Sequence, residues 1–284
     1  DNLANIAHCE LAELLDVKDF ENDYLDQNKN IDQVTHIFHQ GACSDTMEWD
    51  AEYMMKNNYS FSQKLLELAE KNSVSFIYAS SASVYGDGKE FVEARENENP
   101  INLYAFSKYL FDQLIRQKIN ESKIQIVGLR YFNVYGPNEA HKGHMASVAY
   151  HLHKQLEKGE EVKLFEGSDG YEAGEQRRDF VYVDDVVKVN LWFKENPEVS
   201  GIYNVGTGKS QTFNEVANSV ISFHGKGSIQ YIPFPKELVG SYQSFTEADL
   251  GKLRAAGYPD DFLDVQTGVQ LYLEKLSNWP KNES

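Results

Sequence analysis

The 284-residue sequence predicts an α/β fold, a doubly wound parallel sheet joined to a smaller lobe of mixed α/β structure. Three observations predict it. Runs rich in β-branched and aromatic residues alternate with helical patterns through the first half of the chain; these runs are almost continuously apolar; and each of them ends in a polar loop. A strand that is apolar on both faces needs cover on both faces, and parallel neighbours need a crossover, which a helix supplies.

The first such run is VTHIFH (34–39), and a helical pattern follows near 50–71. SFIYAS (75–80) is the second strand, a helix near 101–120 comes next, and IQIVGLRYF (124–132) is the third strand. Ligands of such sheets bind beyond the carboxyl ends of the strands. There QGACSD, SSASVYG and NVYGPN follow, so three polar loops are expected to converge on one crevice. After 133 the pattern loosens, and GSDGYEAGEQRR (167–178) reads as a loop. RDFVYV (178–183) reads as a strand, with Asp184 or Asp185 placed to cap the helix that follows by accepting its orphan N–H bonds. GIYNVGTG adds a strand, while IQYIPFP, SYQSFT and a helix over 264–276 complete the lobe. The sheet domain is thereby assigned to 1–132 and 178–206, the lobe to 133–177 and 207–284. No internal repeat or low-complexity linker interrupts them.

Composition narrows the function. A net charge of -17 repels polyanions and argues against general nucleic-acid binding, while a small anionic ligand stays open. No apolar run approaches the roughly 20 residues that span a bilayer, so membrane insertion is not expected. The two cysteines, Cys9 and Cys43, lack histidines at metal-ligand spacing, so neither a disulfide framework nor a zinc site is indicated and a reducing compartment fits. The opening DNLANIAHCE carries no basic stretch followed by an apolar one, so no secretory signal is visible in it.

The chemistry is carried by NLYAFSKYLFD (102–112), in which Tyr104 and Lys108 share one helical face at i and i+4. Spacing alone cannot decide between packing and catalysis, and for a lone pair of such common residues packing is the favoured reading. Ser80 and Ser81 end the second strand, where a serine often satisfies backbone groups only; yet Ser81 stands 23 residues before Tyr104, close enough for both hydroxyls to reach one crevice. A phenol of pKa about 10 is a poor base at neutral pH, and a neighbouring ammonium lowers it. Serine, tyrosine and lysine then form a substrate clamp, a base and its electrostatic tuner, the set that proton abstraction coupled to hydride transfer requires.

SSASVYG, YAFSK, RYFNVYGP, RDFVYVDDVV and YNVGTG stand in an order and spacing that resembles the extended short-chain dehydrogenase/reductases acting on nucleotide sugars. The resemblance covers nearly the whole chain, implies a Rossmann-like sheet, and makes Ser81, Tyr104 and Lys108 the family's triad, with Lys108 also holding the nicotinamide ribose. HQGACSDTMEWD, YMMKNNY, HKGHMASVAYHL, LFEGS, IPFP and SYQSFTEADL are similar to the family's ADP-heptose 6-epimerase branch. That branch implies NADP as cofactor, an ADP-heptose substrate inverted at C6 through a 6-keto intermediate for the lipopolysaccharide inner core, a cytoplasmic location and a homo-oligomer, a pentamer among its forms. Lys142 becomes a second acid/base that also touches cofactor, although a lone lysine in a loop is otherwise a solvated charge. Two bases suit an epimerase, because a keto group that turns before reduction needs its proton from a new direction.

By the same resemblance Gln40, Gly41, Ala42, Cys43 and Ser44 skirt the cofactor, with Asn57 and Val134 as further contacts. Asn57 has the plainer alternative of a local hydrogen bond. Asn133, His144, His151, Phe165, Glu166, Gly167, Ser168, Arg178 and Tyr242 match substrate contacts, Arg178 for a phosphate oxygen. His144 departs from the serine common in relatives, His151 is the weakest of these because histidine on an apolar helix face is often structural, and the insertion-like GYEAGEQ leaves Arg177 open beside Arg178.

A dinucleotide-binding βαβ unit carries a glycine-rich turn of G-x-G-x-x-G type, and no such run occurs. The resemblance implies that about 35 residues precede Asp1 in the parent protein, that the sheet has a gap and unpaired edges, and that the fragment binds cofactor poorly. Asp1 and Asn2 either end the family's second strand, against the adenosine ribose, or lie in the loop after it. Alternatives stay in view: a UDP-hexose 4-epimerase, a nucleotide-sugar dehydratase, which carries Asp-Glu where Ala82 and Ser83 stand here, or an inactive cofactor-binding fragment.

Overall fold

The computed structural model describes residues 2–27, 29–235 and 243–278. Its strands in chain order are β1 (His36–His39), β2 (Ser75–Ser81), β3 (Ile126–Tyr131), β4 (Asn133–Tyr135), β5 (Glu161–Phe165), β6 (Arg177–Arg178), β7 (Phe180–Tyr182), β8 (Gly201–Val205), β9 (Gln211–Thr212) and β10 (Ser228–Ile232). The chain divides into two compact units, one of Asp1–Gly86, Glu98–Arg130 and Asn190–Tyr203, the other of Asp87–Asn97, Tyr131–Val189 and Asn204–Ser284. The second takes the larger share of the chain, where the sequence pattern points to a smaller lobe.

In the first unit the sheet runs β1-β2-β3-β8, with β1 and β2 parallel from His36 opposite Ser75 to His39 opposite Tyr78. Between them the chain makes helix Ala51–Met55, a wide turn Lys56–Ser60 and helix Phe61–Asn72 without a break. Asp50 starts it by accepting the Tyr53 N–H at 2.9 Å, and Ser73 ends it in a left-handed conformation. Its apolar face puts Leu65, Leu66, Leu68 and Ala69 against Phe76 and Tyr78 of β2 and Phe111 and Ile115 of helix Leu103–Lys118. Each such side chain contributes about 1.5–3 kcal/mol by leaving water. That burial holds the end of β2 against the helix bearing Tyr104. The expected gap is not found among the described residues: the four strands are consecutive neighbours, because they pair with one another rather than flanking a missing one.

The second unit holds parallel pairs β4–β7 and β5–β10 and the antiparallel pair β6–β9. Its core is built by helices Val148–Lys158, Phe213–His224 and Val265–Asn278, through Leu152, Leu156, Val216, Val220, Val269 and Tyr272. Thr212 and Glu215 start the second of these helices with a reciprocal capping box. The strand expected over 178–183 is interrupted at Asp179, and neither Asp184 nor Asp185 caps a helix. Both lie inside the first turn of helix Val183–Glu195, where Asp185 is buried and accepts the Leu263 N–H at 2.8 Å, while Asp184 pairs with Lys275 at 2.7 Å. Among the described residues, no helix is long and apolar enough to cross a membrane.

Candidate active site

The expected site residues fall into two sets, one in each unit. In the first unit, Ser81 closes β2 and opens a tight turn, Ala82–Tyr85. Its Oγ accepts the Ser83 N–H at 3.2 Å and the Ser83 hydroxyl at 2.9 Å. Asn102 starts the next helix by accepting the Ala105 N–H at 2.8 Å, which sets Tyr104 in its first turn, hydrogen-bonded to Ser81. Lys108, one turn on and 5% exposed, donates from Nζ to the Ala79 carbonyl at 2.7 Å. Strand end and helix therefore bring Ser81 and Tyr104 into contact, with Lys108 one helical turn on against Ala79 of the same strand.

The electrostatics differ from that expectation. Burial pushes the Tyr104 phenol above its ordinary pKa, and only its hydrogen bond to Ser81 pulls the other way. Lys108 is pushed down to about 8 by burial, opposed by Asp112 one turn further on. The ammonium turns to Ala79 rather than offsetting the phenol's loss of water. His39, pushed down to about 3 by burial and then by Lys108, is neutral at physiological pH, its Nε2 2.7 Å from the Ser62 hydroxyl.

Gln40, Gly41, Ala42 and Ser44 are exposed at the end of β1, and Gly41 faces open space. Gln40 Nε2 donates to Asn190 Oδ1 at 3.3 Å. Asn57 takes the plainer alternative, donating from Nδ2 to the Tyr53 carbonyl at 2.7 Å within its own helical turn. Its neighbour Asn58 does more for the site. Buried, it accepts the Cys43 N–H at 2.8 Å, donates to the Cys43 carbonyl at 2.9 Å and to Ser107 Oγ at 3.0 Å, and Ser107 in turn donates to the Tyr104 carbonyl at 2.7 Å. Sequence reasoning passed over Asn58, since KNNY offers two asparagines and no local signal between them. Asn2 opens a short turn, Asn2–Asn5, and does not end a strand; Asp1 lies outside the described residues.

In the second unit, Asn133 and Val134 of β4 and Lys142 of the turn Ala140–Met145 line one cavity of about 350 Å³. Glu139, Ser147, Phe180, Phe213 and Val265 complete much of its wall. Lys142 is exposed, and the turn kinks at Gly143, whose φ of 56° suits a residue without Cβ. His144 is held by its backbone: its carbonyl accepts from His151 Nε2 at 3.3 Å. Phe165 ends β5, and Glu166 to Ser168 follow, pinned by Gln176 Nε2, which donates to the Glu166 carbonyl at 3.0 Å and Ser168 Oγ at 3.1 Å. A Cβ on Gly167 would come within 2.0 Å of the Tyr171 carbonyl oxygen, so that turn requires glycine. The two arginines separate. Arg177 is engaged by Ser210, at 3.2 Å to its hydroxyl and 2.7 Å to its carbonyl, whereas Arg178 is buried opposite Gln211. Tyr242 lies outside the described residues.

Residues 2–206 match the NAD dependent epimerase/dehydratase family. The ADP-L-glycero-D-manno-heptose-6-epimerase of Alkalilimnicola ehrlichii is 51% identical over 276 residues, covering 97% of this chain and 86% of that one. The crystal structure of the Helicobacter pylori ADP-L-glycero-D-manno-heptose-6-epimerase aligns with a TM-score of 0.74 at 36% identity, over 86% of this chain and 73% of that one. Thermus thermophilus UDP-glucose 4-epimerase, solved in complex with NAD, aligns at 0.72 and 26% identity, over 93% and 83%.

Proposed function

The chain belongs to the NAD dependent epimerase/dehydratase family, and from that premise we propose that it inverts C6 of the heptose in ADP-D-glycero-β-D-manno-heptose, giving ADP-L-glycero-β-D-manno-heptose for the inner core of lipopolysaccharide. The observation that carries the chemistry is the Ser81–Tyr104 hydrogen bond with the buried Lys108 one turn on.

A bound nicotinamide cofactor supplies reversible two-electron oxidation of the sugar alcohol. The donor set of the first unit fits such a group: Lys108 gives one N–H to Ala79, and an ammonium has three, so donors remain for ribose hydroxyls. Gln40 to Ser44, with the open ground at Gly41, would run along it, and Val134 and Lys142 are assigned as further contacts. NADP is our reading of the dinucleotide, supported by the chain's likeness to the heptose branch. A homo-oligomeric, cytoplasmic enzyme goes with it.

In this reading Ser81 orients the C6 hydroxyl, and Tyr104, once it has given its own proton to solvent, takes the hydroxyl proton as the phenolate. The carbon becomes planar and keeps no record of its configuration. Lys108, still charged below its pKa of about 8 and one helical turn away, places a positive charge near that phenolate. When the carbonyl oxygen has turned to its other face, Lys142 supplies the proton, and exchange with solvent returns Tyr104 and Lys142 to their starting states. Asn133, His144, His151, Phe165 to Ser168, Arg178 and Tyr242 are assigned to the sugar and the diphosphate, Arg178 by charge.

The test is incubation with ADP-D-glycero-β-D-manno-heptose and NADP, with chromatographic resolution of the two C6 epimers and UDP-galactose as control. Interconversion of the heptose alone is expected. Turnover of UDP-galactose with the heptose untouched would make the protein a hexose 4-epimerase, and no turnover of either with NADP bound, as read by fluorescence titration, would make it an inactive cofactor-binding protein.

A further inference from the structure

Glu139 is a buried carboxylate, 4% exposed, with three donors converging on it. The Ser147 N–H reaches Oε2 at 2.7 Å, the Ser147 hydroxyl Oε1 at 2.6 Å, and the Tyr272 hydroxyl Oε1 at 2.7 Å. A carboxylate only accepts, so it satisfies all three at once. Ser147 is the residue that starts helix Val148–Lys158, its Oγ accepting the Tyr150 N–H at 3.3 Å, and Tyr272 belongs to helix Val265–Asn278. The carboxylate thus ties the segment between β4 and the first helix to both helices. At the backbone, the Glu139 carbonyl accepts the Lys142 N–H at 2.9 Å. The segment 139–147 is therefore closed on itself by one residue, with Lys142 within the closed stretch, and Glu139 and Lys142 line the same cavity.

We propose that Glu139 is a positioning residue for Lys142, its carboxylate closing the segment that carries the lysine and so fixing where the second acid/base stands. The proposal rests on the Lys142 reading above. A lysine has a long flexible stem, and an exposed one on an open segment samples many positions. Proton delivery to a turned carbonyl needs one of them, and a misplacement of about 1 Å costs on the order of 100-fold.

The experiment is a double-mutant cycle on net epimerisation, with Glu139→Ala, Lys142→Met and both together. Glu139→Ala is expected to lower kcat by about 10- to 100-fold with KM changed by less than about threefold, and to lower the Lys142→Met variant by less than about twofold, because a residue that acts through the lysine has nothing to position once it is gone. An equal loss in both backgrounds would overturn the proposal and leave the Lys142 reading standing. Full activity of Lys142→Met alone would remove that reading, and the proposal with it. Tyr272→Phe deletes one donor and keeps the ring, so the same cycle with it, expected to show a smaller non-additive loss, decides the question if Glu139→Ala does not fold. Amide exchange across 140–147 gives a readout apart from activity: it should speed up in Glu139→Ala and Tyr272→Phe, and unchanged exchange would refute the closure.

Discussion

Asp112→Asn is the substitution that most directly tests how the first unit holds Ser81, Tyr104 and Lys108 in place. Asp112 is 0% exposed and sits one turn past Lys108 on the same helix. It accepts the Tyr78 hydroxyl at 2.8 Å, the Ser80 hydroxyl at 3.0 Å, and Arg130 through Nε at 2.9 Å and Nη2 at 2.8 Å. Tyr78 and Ser80 belong to the strand that ends in Ser81, so one carboxylate joins strand, helix and β3. Removing one partner of a buried ion pair costs about 3–5 kcal/mol. Here Arg130, itself 0% exposed, keeps a second carboxylate in Glu98, and both hydroxyls can turn to accept from an amide, so we expect a cost at or just below the bottom of that range, about 2–3 kcal/mol. At about 2–4 °C per kcal/mol for a protein of this size, the melting midpoint should fall by about 5–10 °C, measured by calorimetry and checked by urea titration. A kinetic consequence follows from charge. Asp112 supports the Lys108 ammonium, so without it Lys108 loses its proton at lower pH, and the alkaline limb of kcat/KM should move to lower pH. A loss below about 1 kcal/mol would refute the network as a stabilising element. An unmoved limb would refute its hold on Lys108.

Other substitutions probe separate parts of the protein. Tyr104→Phe and Lys142→Met should each lower net epimerisation by about 100- to 10,000-fold, with the double variant lower still, and wild-type circular dichroism would exclude misfolding. Asn58→Ala leaves the Cys43 N–H without its acceptor, so about 1–3 kcal/mol of stability should go, with weaker dinucleotide binding in a fluorescence titration. For Glu98, burial alone would raise the carboxyl, but Arg116 and Arg130 outweigh it and hold it below the usual range. A depressed folded pKa gives stability that is present above the unfolded value of about 4.3 and lost as pH falls through the folded one; Glu98→Gln should therefore flatten the decline in urea midpoint below pH 4.

The parallel sheet was readable because strand and helix announce themselves locally. VTHIFH and SFIYAS are short runs rich in β-branched and aromatic residues, and the residues that pair, His36 to His39 with Ser75 to Tyr78, fall in those runs. Helix 103–118 has its apolar face and its Asn102 cap within a few residues of each other. Asp184 and Asp185 misled for the same reason. An acid after a strand looks like a cap, and what draws Asp185 inward is the backbone of Leu263, 78 residues away.

The site divides along the same line. Tyr104 and Lys108 are one helical turn apart and Ser81 ends a strand, so spacing and motif order reach them. The residues that hold them in place are far apart in sequence: Asn58 joins Cys43 to Ser107, Asp112 joins Ser80 to Arg130, and Glu139 joins Ser147 to Tyr272. Each is a buried polar side chain whose desolvation must be met by several partners at once, a condition that only the folded chain can satisfy. Local pattern therefore finds the groups proposed to react, while the groups that hold them emerge only from packing. The Tyr104 phenol shows the difference most sharply. Its spacing to Lys108 predicts a lowered pKa, but burial raises it.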